Sequence, residues 1–214
     1  MTVKMKVYSD FVCPFCFLAK KPLLEATSGK DVEIEWMPYE LRPGNSEPLR
    51  PESNYIQTGW QHSVKPLSER IGVEMVLPEM SPHPRTHLTH EGLQFAKERG
   101  KGNEYADAVF RAFWQLEQDI GDVEILTSIA ENVGLDANEF KESLVSRKYE
   151  QVHQKQLQHA YTEANIRAVP TIQIGNQQLS GVQSSDSIER AINKQLETAK
   201  TPSTGMNCSI DGCE

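Results

Sequence analysis

The sequence has few cysteines, no long apolar run and no cluster of positive charge, and each shortage excludes a class of protein. Only four of its 214 residues are cysteine, which does not suit a disulfide-dense secreted scaffold. No apolar stretch approaches the roughly 20 residues that a membrane-spanning helix needs. Lysine and arginine number 22 against 30 acidic residues, a net charge of −8. Because the basic residues are scattered, we expect neither nucleic acid nor a membrane as a partner.

The beginning of the chain also lacks the apolar core of a signal peptide. Residues 1–4 lead directly into a strand-like pattern, so we expect a cytoplasmic protein unless a leader was removed. In a reducing compartment, four cysteines in two close pairs indicate catalytic or metal chemistry rather than structural disulfides. The length suits one domain, or one domain with a large insertion.

The most informative pattern is Cys13-Pro14-Phe15-Cys16, which lies where a strand changes into a helix. Val3, Met5 and Val7 alternate with polar residues before the pair, and apolar residues follow it at helical spacing. Unpaired N–H groups and the positive end of the helix dipole favour a thiolate at a helix start. The spacing and its placement therefore predict a redox-active dithiol.

A zinc site is the alternative interpretation of the same cysteines. A second pair, Cys208 and Cys213, lies at the end of the chain, and four thiolates can close a tetrahedral site. Pro14, however, suits the first position of a helix better than a metal-binding knuckle. The pattern therefore favours redox chemistry over metal binding.

Strand patterns return in three further places. Residues 31–39 alternate and predict a second strand parallel to the first, because a helix lies between the two. Residues 170–174 predict a third strand, and Gly175-Asn176 predicts a hairpin turn into a fourth at 177–180. A final helix is expected after Ser184 or Ser185.

The residues between the second and third strands are predicted to be helical, from about Ser53 to Arg167. The strongest helical pattern runs from Glu104 to Gln118. Asp136, three residues before Glu139, predicts a helix cap. Shorter helices are expected at 123–133, 138–145 and 149–164. The sequence thus predicts an α/β fold in which a large helical insertion splits a β-α-β…β-β-α framework.

Three segments make this chain resemble a known family. They are Ser9–Cys16, Ala168-Val169-Pro170-Thr171 and Leu179–Gln183, together with the helical insertion between them. With them the chain resembles the DsbA family of thiol–disulfide oxidoreductases, and within it the cytoplasmic FrnE-like branch, from about Val3 to Lys200. A related branch, kappa-class glutathione transferases and 2-hydroxychromene-2-carboxylate isomerases, usually has serine where this chain has Cys13.

The resemblance implies a thioredoxin fold with a large inserted α-helical subdomain. Residues 1–52 and 168–200 would form the discontinuous thioredoxin-fold domain. Residues 53–167 would form the inserted subdomain, and residues 201–214 a tail that carries the second cysteine pair. No cofactor is implied, because electrons would move through the cysteines themselves.

The resemblance also implies roles for individual residues. Cys13, expected to be exposed, would be the attacking thiolate, and Cys16 would resolve the mixed disulfide. Pro170 would be cis and hold its loop against the Cys13 sulfur, with the Val169 N–H and C=O free to pair with substrate. The expected substrate contacts are Pro14, Phe15 and Val169.

Asp10 has two interpretations. It is either a buried proton acceptor near Cys16 or an ordinary turn or cap residue. The tail pair, Cys208 and Cys213, likewise either exchanges electrons with the first pair or is incidental. From Lys200 to Cys208 is eight residues, an extended reach of roughly 26–29 Å.

The expected activity is oxidation, reduction or isomerisation of disulfides, in proteins or small molecules, with thioredoxin or glutathione as a possible reductant. The alternatives are a glutathione-dependent transferase or isomerase on the same fold, and a zinc-binding protein.

The histidines and aromatic residues outside these motifs carry weaker signals. The spacing of His83, His87 and His90 resembles that of metal ligands, but we expect them to be solvated residues near a helix start, and no metal site is predicted. His153 gives no stronger signal. The aromatic cluster of Phe110, Phe113 and Trp114 is expected to pack the helical insertion, with an apolar groove beside Cys13 as its alternative role.

Overall fold

The structure is a computed structural model that describes residues 2–200. The predicted tail pair, Cys208 and Cys213, lies outside the described residues. Along the chain the elements are β1 (Val3–Ser9), α1 (Pro14–Thr27), β2 (Val32–Pro38), α2 (Asn54–Gly59), α3 (Lys65–Ile71), α4 (His87–Glu98), α5 (Gly102–Leu116), α6 (Val123–Asn132), α7 (Ala137–Val145), α8 (Glu150–Thr162), β3 (Thr171–Ile174), β4 (Gln177–Ser180) and α9 (Ser185–Lys200), with a π-helical segment, Trp60–Val64, between α2 and α3.

The four strands form one mixed sheet in the order β2-β1-β3-β4. β1 and β2 are parallel, with Val7 opposite Trp36. β3 runs antiparallel to β1, with Ile172 opposite Val7, and the Gly175 turn brings β4 back antiparallel to β3. The predicted α/β thioredoxin fold with a helical insertion is therefore confirmed.

Helices α5 to α8 begin and end within about two residues of their predicted bounds, while α2, α3 and α4 lie in the region that was predicted as helical without separate bounds. The predicted cap at α7 is present, because the Asp136 side chain accepts a hydrogen bond from the Glu139 N–H at 2.8 Å. The Asp122 side chain caps α6 in the same way through two backbone N–H groups. The division into a separate inserted subdomain at 53–167 stays a prediction.

The two faces of the sheet pack against different helices. Successive strand residues point to opposite faces, so Val7 joins the main core with α1, α5 and α9, while Tyr8 joins a smaller cluster with Ala160 of α8. Both strand residues are buried.

Phe110 of α5 connects the helical insertion to the segment that precedes Cys13. It is fully buried, and its ring lies 4.9 Å from the ring of Phe11 and 5.9 Å from that of Trp36. Phe113 and Trp114 are buried as well, as predicted for this cluster. The Trp114 Nε1–H donates to the Phe11 carbonyl at 2.9 Å, which fixes the backbone two residues before Cys13.

Candidate functional site

Cys13 occupies the N-cap position of α1, and Pro14 is the first residue of the helix. Its carbonyl accepts hydrogen bonds from the N–H groups of Cys16 and Phe17, at 3.1 and 3.2 Å. This local geometry follows from the sequence, since proline fits the first helical turn, where no N–H is needed. The dithiol therefore lies at the positive end of the α1 dipole, as predicted.

The loop that carries Pro170 lies directly against Cys13. The Val169–Pro170 peptide bond is cis, and the Cys13 thiol donates to the Val169 carbonyl at 3.7 Å. The loop is fixed by the Gly181 N–H, which donates to the Pro170 carbonyl at 2.8 Å. The Val169 carbonyl is thus engaged by the thiol, whereas the sequence led us to expect it to be free for substrate.

Cys13 is buried, and the expectation that it would be exposed is wrong. Only 3% of its surface is accessible. The reason is tertiary: Cys13 lines a pocket of about 400 Å³, and most of the other walls of this pocket, including Trp114, come from distant segments. The lining residues are mostly apolar or aromatic: Val12, Cys13, Pro14, Phe15, Leu41, Arg42, Leu49, Tyr55, Ile56, Gly59, Trp60, Ser63, Val64, Leu77, His83, Trp114 and Val169.

The predicted substrate contacts Pro14, Phe15 and Val169 all lie on this pocket, together with Cys13. The groove proposed as an alternative role for the aromatic cluster also exists, because Trp114 lines it. A volume of this size is typical of sites that bind small molecules. The side chains of this pocket can hold an apolar group beside the Cys13 sulfur, and Arg42 adds a positive charge to the pocket wall.

Cys16 lies one turn deeper in α1 and is 1% exposed. Burial raises the pKa of its thiol, and the adjacent Cys13 thiol raises it further. The nearby Ser9 hydroxyl and the Asp10 backbone act in the opposite direction and lower that pKa. Cys16 is therefore a thiol that needs a proton acceptor before it can attack.

Asp10 is fully buried between β1 and α1. Its Oδ2 accepts a hydrogen bond from the Leu41 N–H at 2.7 Å, whereas Oδ1 has no hydrogen-bond partner. The α1 N-cap has no side-chain hydrogen bond, so Asp10 does not cap this helix. Asp10 does begin a turn, because its carbonyl accepts a hydrogen bond from the Cys13 N–H at 3.1 Å. Its role as a proton acceptor for Cys16 stays a proposal.

The expectation that His83, His87 and His90 are solvated is wrong. His83 and His90 are buried, and His87 is half-buried. His83 is turned inward because its Nε2 bonds the Pro78 carbonyl at 3.1 Å and its ring packs on Phe113. His90 is buried because it shares the inward face of α4 with Leu93, and its ring lies 5.0 Å from that of Phe11.

A buried polar cluster that sequence reasoning missed surrounds His90. The rings of His90 and His153 stack at 5.4 Å, only 10° from parallel. His153 Nε2 and Glu40 Oε1 are 2.5 Å apart, and His90 Nε2 is 3.8 Å from Asp10 Oδ1. Asp10, His90 and His153 are each at most 1% exposed, and Glu40 is 5% exposed. The signal that could have found the cluster is the placement of His90 three residues before Leu93 on one helical face.

Burial and charge set the protonation of this cluster. Burial lowers the pKa of the His90 imidazole, against the opposing effect of Asp10. Burial alone would raise the pKa of the Glu40 carboxyl, but the hydrogen bond from His153 and the nearby His90 outweigh it and lower that pKa. The cluster thus holds a carboxylate beside an imidazole that stays neutral in ordinary conditions.

Among residues 2–200, no group of three or more histidine, cysteine or acidic side chains is arranged to hold a metal ion. Within the same range, every helix is too short or too polar to cross a bilayer.

Known proteins resemble this chain both in sequence and in structure. YwbO of Bacillus subtilis strain 168, which is named as an uncharacterised protein, is 52% identical over 196 residues, covering 91% of this chain and 98% of that protein. A probable DsbA oxidoreductase from Streptomyces coelicolor superimposes with a TM-score of 0.81 at 23% identity, covering 99% of this chain and 98% of that one.

A 2-hydroxychromene-2-carboxylate isomerase also shares the fold, with a TM-score of 0.75 at 20% identity, covering 92% of this chain and 97% of that one. The family model that matches residues 4–193 is described as a DSBA-like thioredoxin domain. That match spans most of the sequence and contains the dithiol, the cis-proline loop and the helical insertion. The chain therefore belongs to the family of DSBA-like thioredoxin domains.

Proposed function

We propose that this protein is a thiol–disulfide oxidoreductase or isomerase that works through Cys13 and Cys16. The observation that carries the proposal is the Cys13 thiol itself, which lies at the N-terminus of α1, against the cis-Pro170 loop and in the wall of an apolar pocket. Disulfide exchange begins with a thiolate, and the N-terminus of a helix provides a positive potential that favours this charged form.

The reaction runs in two steps. The Cys13 thiolate attacks one sulfur of a substrate disulfide, forming a mixed disulfide and releasing the other substrate sulfur as a thiolate. Cys16 then loses its proton and attacks Cys13, which forms the Cys13–Cys16 disulfide and releases the second substrate thiolate. Two electrons pass from the protein to the substrate, and the released thiolates take up two protons. Oxidation of a substrate dithiol is the reverse of this sequence.

The finer assignment follows from the resemblance. We place the protein in the FrnE-like branch and in the cytoplasm, acting on protein or small-molecule disulfides and exchanging with a reductant of the thioredoxin or glutathione kind. Pro14, Phe15 and Val169 would contact the substrate, Pro170 would hold the loop, and no cofactor takes part.

Trapping the mixed disulfide tests the function directly. Cys16→Ser should leave a stable adduct on Cys13 when the protein meets a disulfide peptide, whereas Cys13→Ser should leave none, as read by intact-mass spectrometry under non-reducing conditions. Both variants should lose turnover. If Cys13→Ser still forms the adduct, Cys13 is not the attacking group and the proposal fails.

The reduction potential of the pair would then give the direction. A value near about −120 to −180 mV indicates an oxidant or isomerase, and one near about −270 mV a reductant. Absence of a reversible two-electron couple would contradict the redox assignment and favour the zinc alternative.

A second candidate is a glutathione-linked transferase or isomerase with a small-molecule substrate. The size of the pocket favours it, because about 400 Å³ suits a small molecule, and Cys13 in its wall is only 3% exposed. Arg42 offers a cation for a carboxylate, and a solved isomerase shares the fold. Glutathione-conjugating or isomerising turnover that survives Cys13→Ser would support this candidate, whereas its loss in that variant would favour the dithiol chemistry.

A further inference from the structure

One side of the Cys13 pocket is built from a single stretch of the chain. Residues 53–64, here called the α2 wall, comprise the Ser53 cap, α2 and the π-helical segment that follows it. The α2 wall contributes six of the residues that line the pocket: Tyr55, Ile56, Gly59, Trp60, Ser63 and Val64. Because Cys13 is only 3% exposed, the position of this wall controls how a substrate reaches it.

The helical part of the α2 wall is held by few contacts. Every residue of α2 is exposed or half-buried, and Tyr55 is 75% exposed. The side-chain hydrogen bonds here are local: Gln57 Nε2 donates to the Pro51 carbonyl, and the Ser53 hydroxyl donates to the Arg50 carbonyl, both at 2.7 Å. Segments with few buried apolar contacts open at a low free energy. α2 can therefore move away from the pocket while the core stays intact.

Other walls of the pocket are held by bonds between distant segments. The buried Trp114 indole donates to the Phe11 carbonyl at 2.9 Å. The Leu49 carbonyl accepts a hydrogen bond from the N–H of His83 at 2.8 Å, and His83 is itself buried. Moving these walls would break long-range bonds or expose buried rings. The α2 wall is therefore the part of the pocket that moves at the lowest cost.

The junction between α2 and the π-helical segment is suited to bending. Gly59 is the last residue of α2, and its φ of −61° is one that any residue adopts. A Cβ at this position would meet open space, so packing does not require a glycine here. Glycine weakens a helix, and π-helical turns are found mostly at functional sites. Val64, at the far end of the wall, is 3% exposed and fixes that end.

Resting on the proposed function, we propose that the α2 wall selects the substrates of Cys13 by size. With α2 in the inward position of this structure, the pocket of about 400 Å³ admits a small-molecule disulfide. A disulfide on a polypeptide reaches Cys13 only after α2 bends outward at Gly59. The outward position lets the two sulfurs approach to the roughly 3–3.5 Å from which attack occurs.

The size limit follows from what surrounds each kind of sulfur. A small-molecule disulfide ends a few bonds away from its sulfurs, so one half of it can enter the pocket. A cysteine in a polypeptide carries backbone on both sides, and that backbone must lie along the rim. Tyr55 stands at the rim, because it lines the pocket while 75% of its surface is accessible. The α2 wall therefore contacts a polypeptide before the disulfide reaches Cys13.

The first test measures access to Cys13 without any turnover. The full chain carrying Cys16→Ser, Cys208→Ser and Cys213→Ser keeps Cys13 as its only cysteine. Its alkylation is followed by intact mass with N-ethylmaleimide and with a maleimide on a long polyethylene glycol chain. Ile56→Ala shortens a half-buried side chain of the wall, and it should speed the bulky reagent about tenfold and the small one less than about twofold. An unchanged rate for the bulky reagent would overturn the proposal.

Gly59→Ala is the opposite change in the same background. The added methyl group fits the inward position and favours the continuous helix, so the bulky reagent should react about threefold more slowly. N-ethylmaleimide should react as before, which excludes simple blockage of the pocket by the methyl group. The matched control is Gln61→Ala, at an exposed position of the same wall, which should change neither rate. If it acts like Ile56→Ala, the selection by the pocket-lining residues is wrong.

Cys16 distinguishes movement of the wall from unfolding of the whole chain. A second background, Cys13→Ser with both tail changes, keeps only Cys16, which is 1% exposed and lies one turn deeper. Ile56→Ala should leave the alkylation of Cys16 unchanged while that of Cys13 rises. If both cysteines gain equally, the variant opens the core as a whole, and an independently moving wall is refuted.

Turnover of the otherwise unaltered chain connects the wall to the reaction. Gly59→Ala should lower kcat/KM for insulin, whose disulfides lie in a polypeptide, about threefold, and leave kcat/KM for cystine unchanged. Equal changes for the two substrates would overturn the selection by size. A chain without any Cys13-dependent exchange would instead refute the proposed function, while the alkylation rates would still decide the role of the α2 wall.

Discussion

The two cysteines of the dithiol lie one helical turn apart, yet their surroundings are opposite. Cys13 faces an apolar pocket walled by aromatic side chains such as Trp60 and Trp114. Cys16 lies deeper, close to Ser9 and to the backbone of Asp10, whose carboxylate borders the buried polar cluster of His90 and His153. The difference shows that four residues of local sequence bring the sulfurs together, while long-range packing gives each a separate environment: one beside the pocket and one beside the buried polar cluster.

The segment from Ser9 to Cys13 forms the boundary between these two sides. It receives hydrogen bonds from the Tyr39 N–H, the Leu41 N–H and the Trp114 indole, at 3.0, 2.7 and 2.9 Å. Bonds from such separate parts of the chain hold it in one conformation. Substitutions on the pocket side should therefore change substrate binding, and substitutions on the polar side should change the pH dependence of stability.

The largest expected effect comes from removing the support of this boundary. Phe110→Ala takes away a fully buried ring that contacts Phe11, and we expect a loss of about 3–5 kcal/mol in the free energy of unfolding. Urea denaturation measures it. Leu116→Ala on the same helix is the control, because Leu116 is 65% exposed and should cost less than about 0.5 kcal/mol. Equal losses in the two variants would contradict the described core.

The polar side should make stability depend on pH. Because burial lowers the pKa of His90 in the folded chain, the unfolded chain binds this proton first as the pH falls below about 6.5. The contribution of His90 to stability should be full above that pH and decline below it, by up to about 1.4 kcal/mol per unit, until its folded pKa is reached.

Thermal melts at about pH 7.5 and 5.5 check this dependence. His90→Phe should reduce the difference in Tm between the two conditions, whereas His62→Gln, at an exposed position, should leave it unchanged. If His90→Phe leaves the difference in Tm unchanged, the titration of His90 does not contribute to the pH dependence of stability.

The pocket side should respond in substrate binding rather than in pH dependence. Trp60→Ala removes an aromatic wall of the pocket, and we expect KM for an apolar disulfide substrate to rise roughly tenfold, about 1.4 kcal/mol, with the pH profile preserved. Trp60→Phe, which keeps a ring, should lie close to the original protein. A changed pH profile in Trp60→Ala would contradict the separation of substrate binding from pH dependence.

The smallest effect is expected from the tail pair, Cys208 and Cys213. Gln195 of α9 packs over Gly175, at the end of the sheet away from Cys13, so a tail thiol would have to span the length of the sheet. We expect the double change to serine to slow turnover of protein substrates a few-fold by removing a tethered thiol pair. Unchanged kinetics would refute the shuttle and leave these cysteines incidental.

Much of the framework could be predicted because its signals are local. Alternation in β1, the proline after Cys13, the Asp136 cap and the Gly175 turn each act within a few residues, and each is present in the structure. The family resemblance rested on the same segments and implied the cis state of Pro170, which the structure contains.

The site was predicted less well because its surroundings come from distant segments. Nothing near Cys13 indicates that Tyr55 and Trp60 would help to enclose it. Asp10, Glu40, His90 and His153 come from four separate parts of the chain, so no spacing rule joins them. His90 alone gave a hint, since a polar residue on the inward face of a helix needs a partner.

The helix that borders the pocket has a consequence for how this protein can be altered. α2 has no buried residue, although Tyr55 and Ile56 from it line the pocket. Residues that carry little of the core can be exchanged at little cost to stability. Substrate choice could therefore diverge among relatives, or be redesigned in the laboratory, by rewriting this short helix while the electron-carrying pair is left alone.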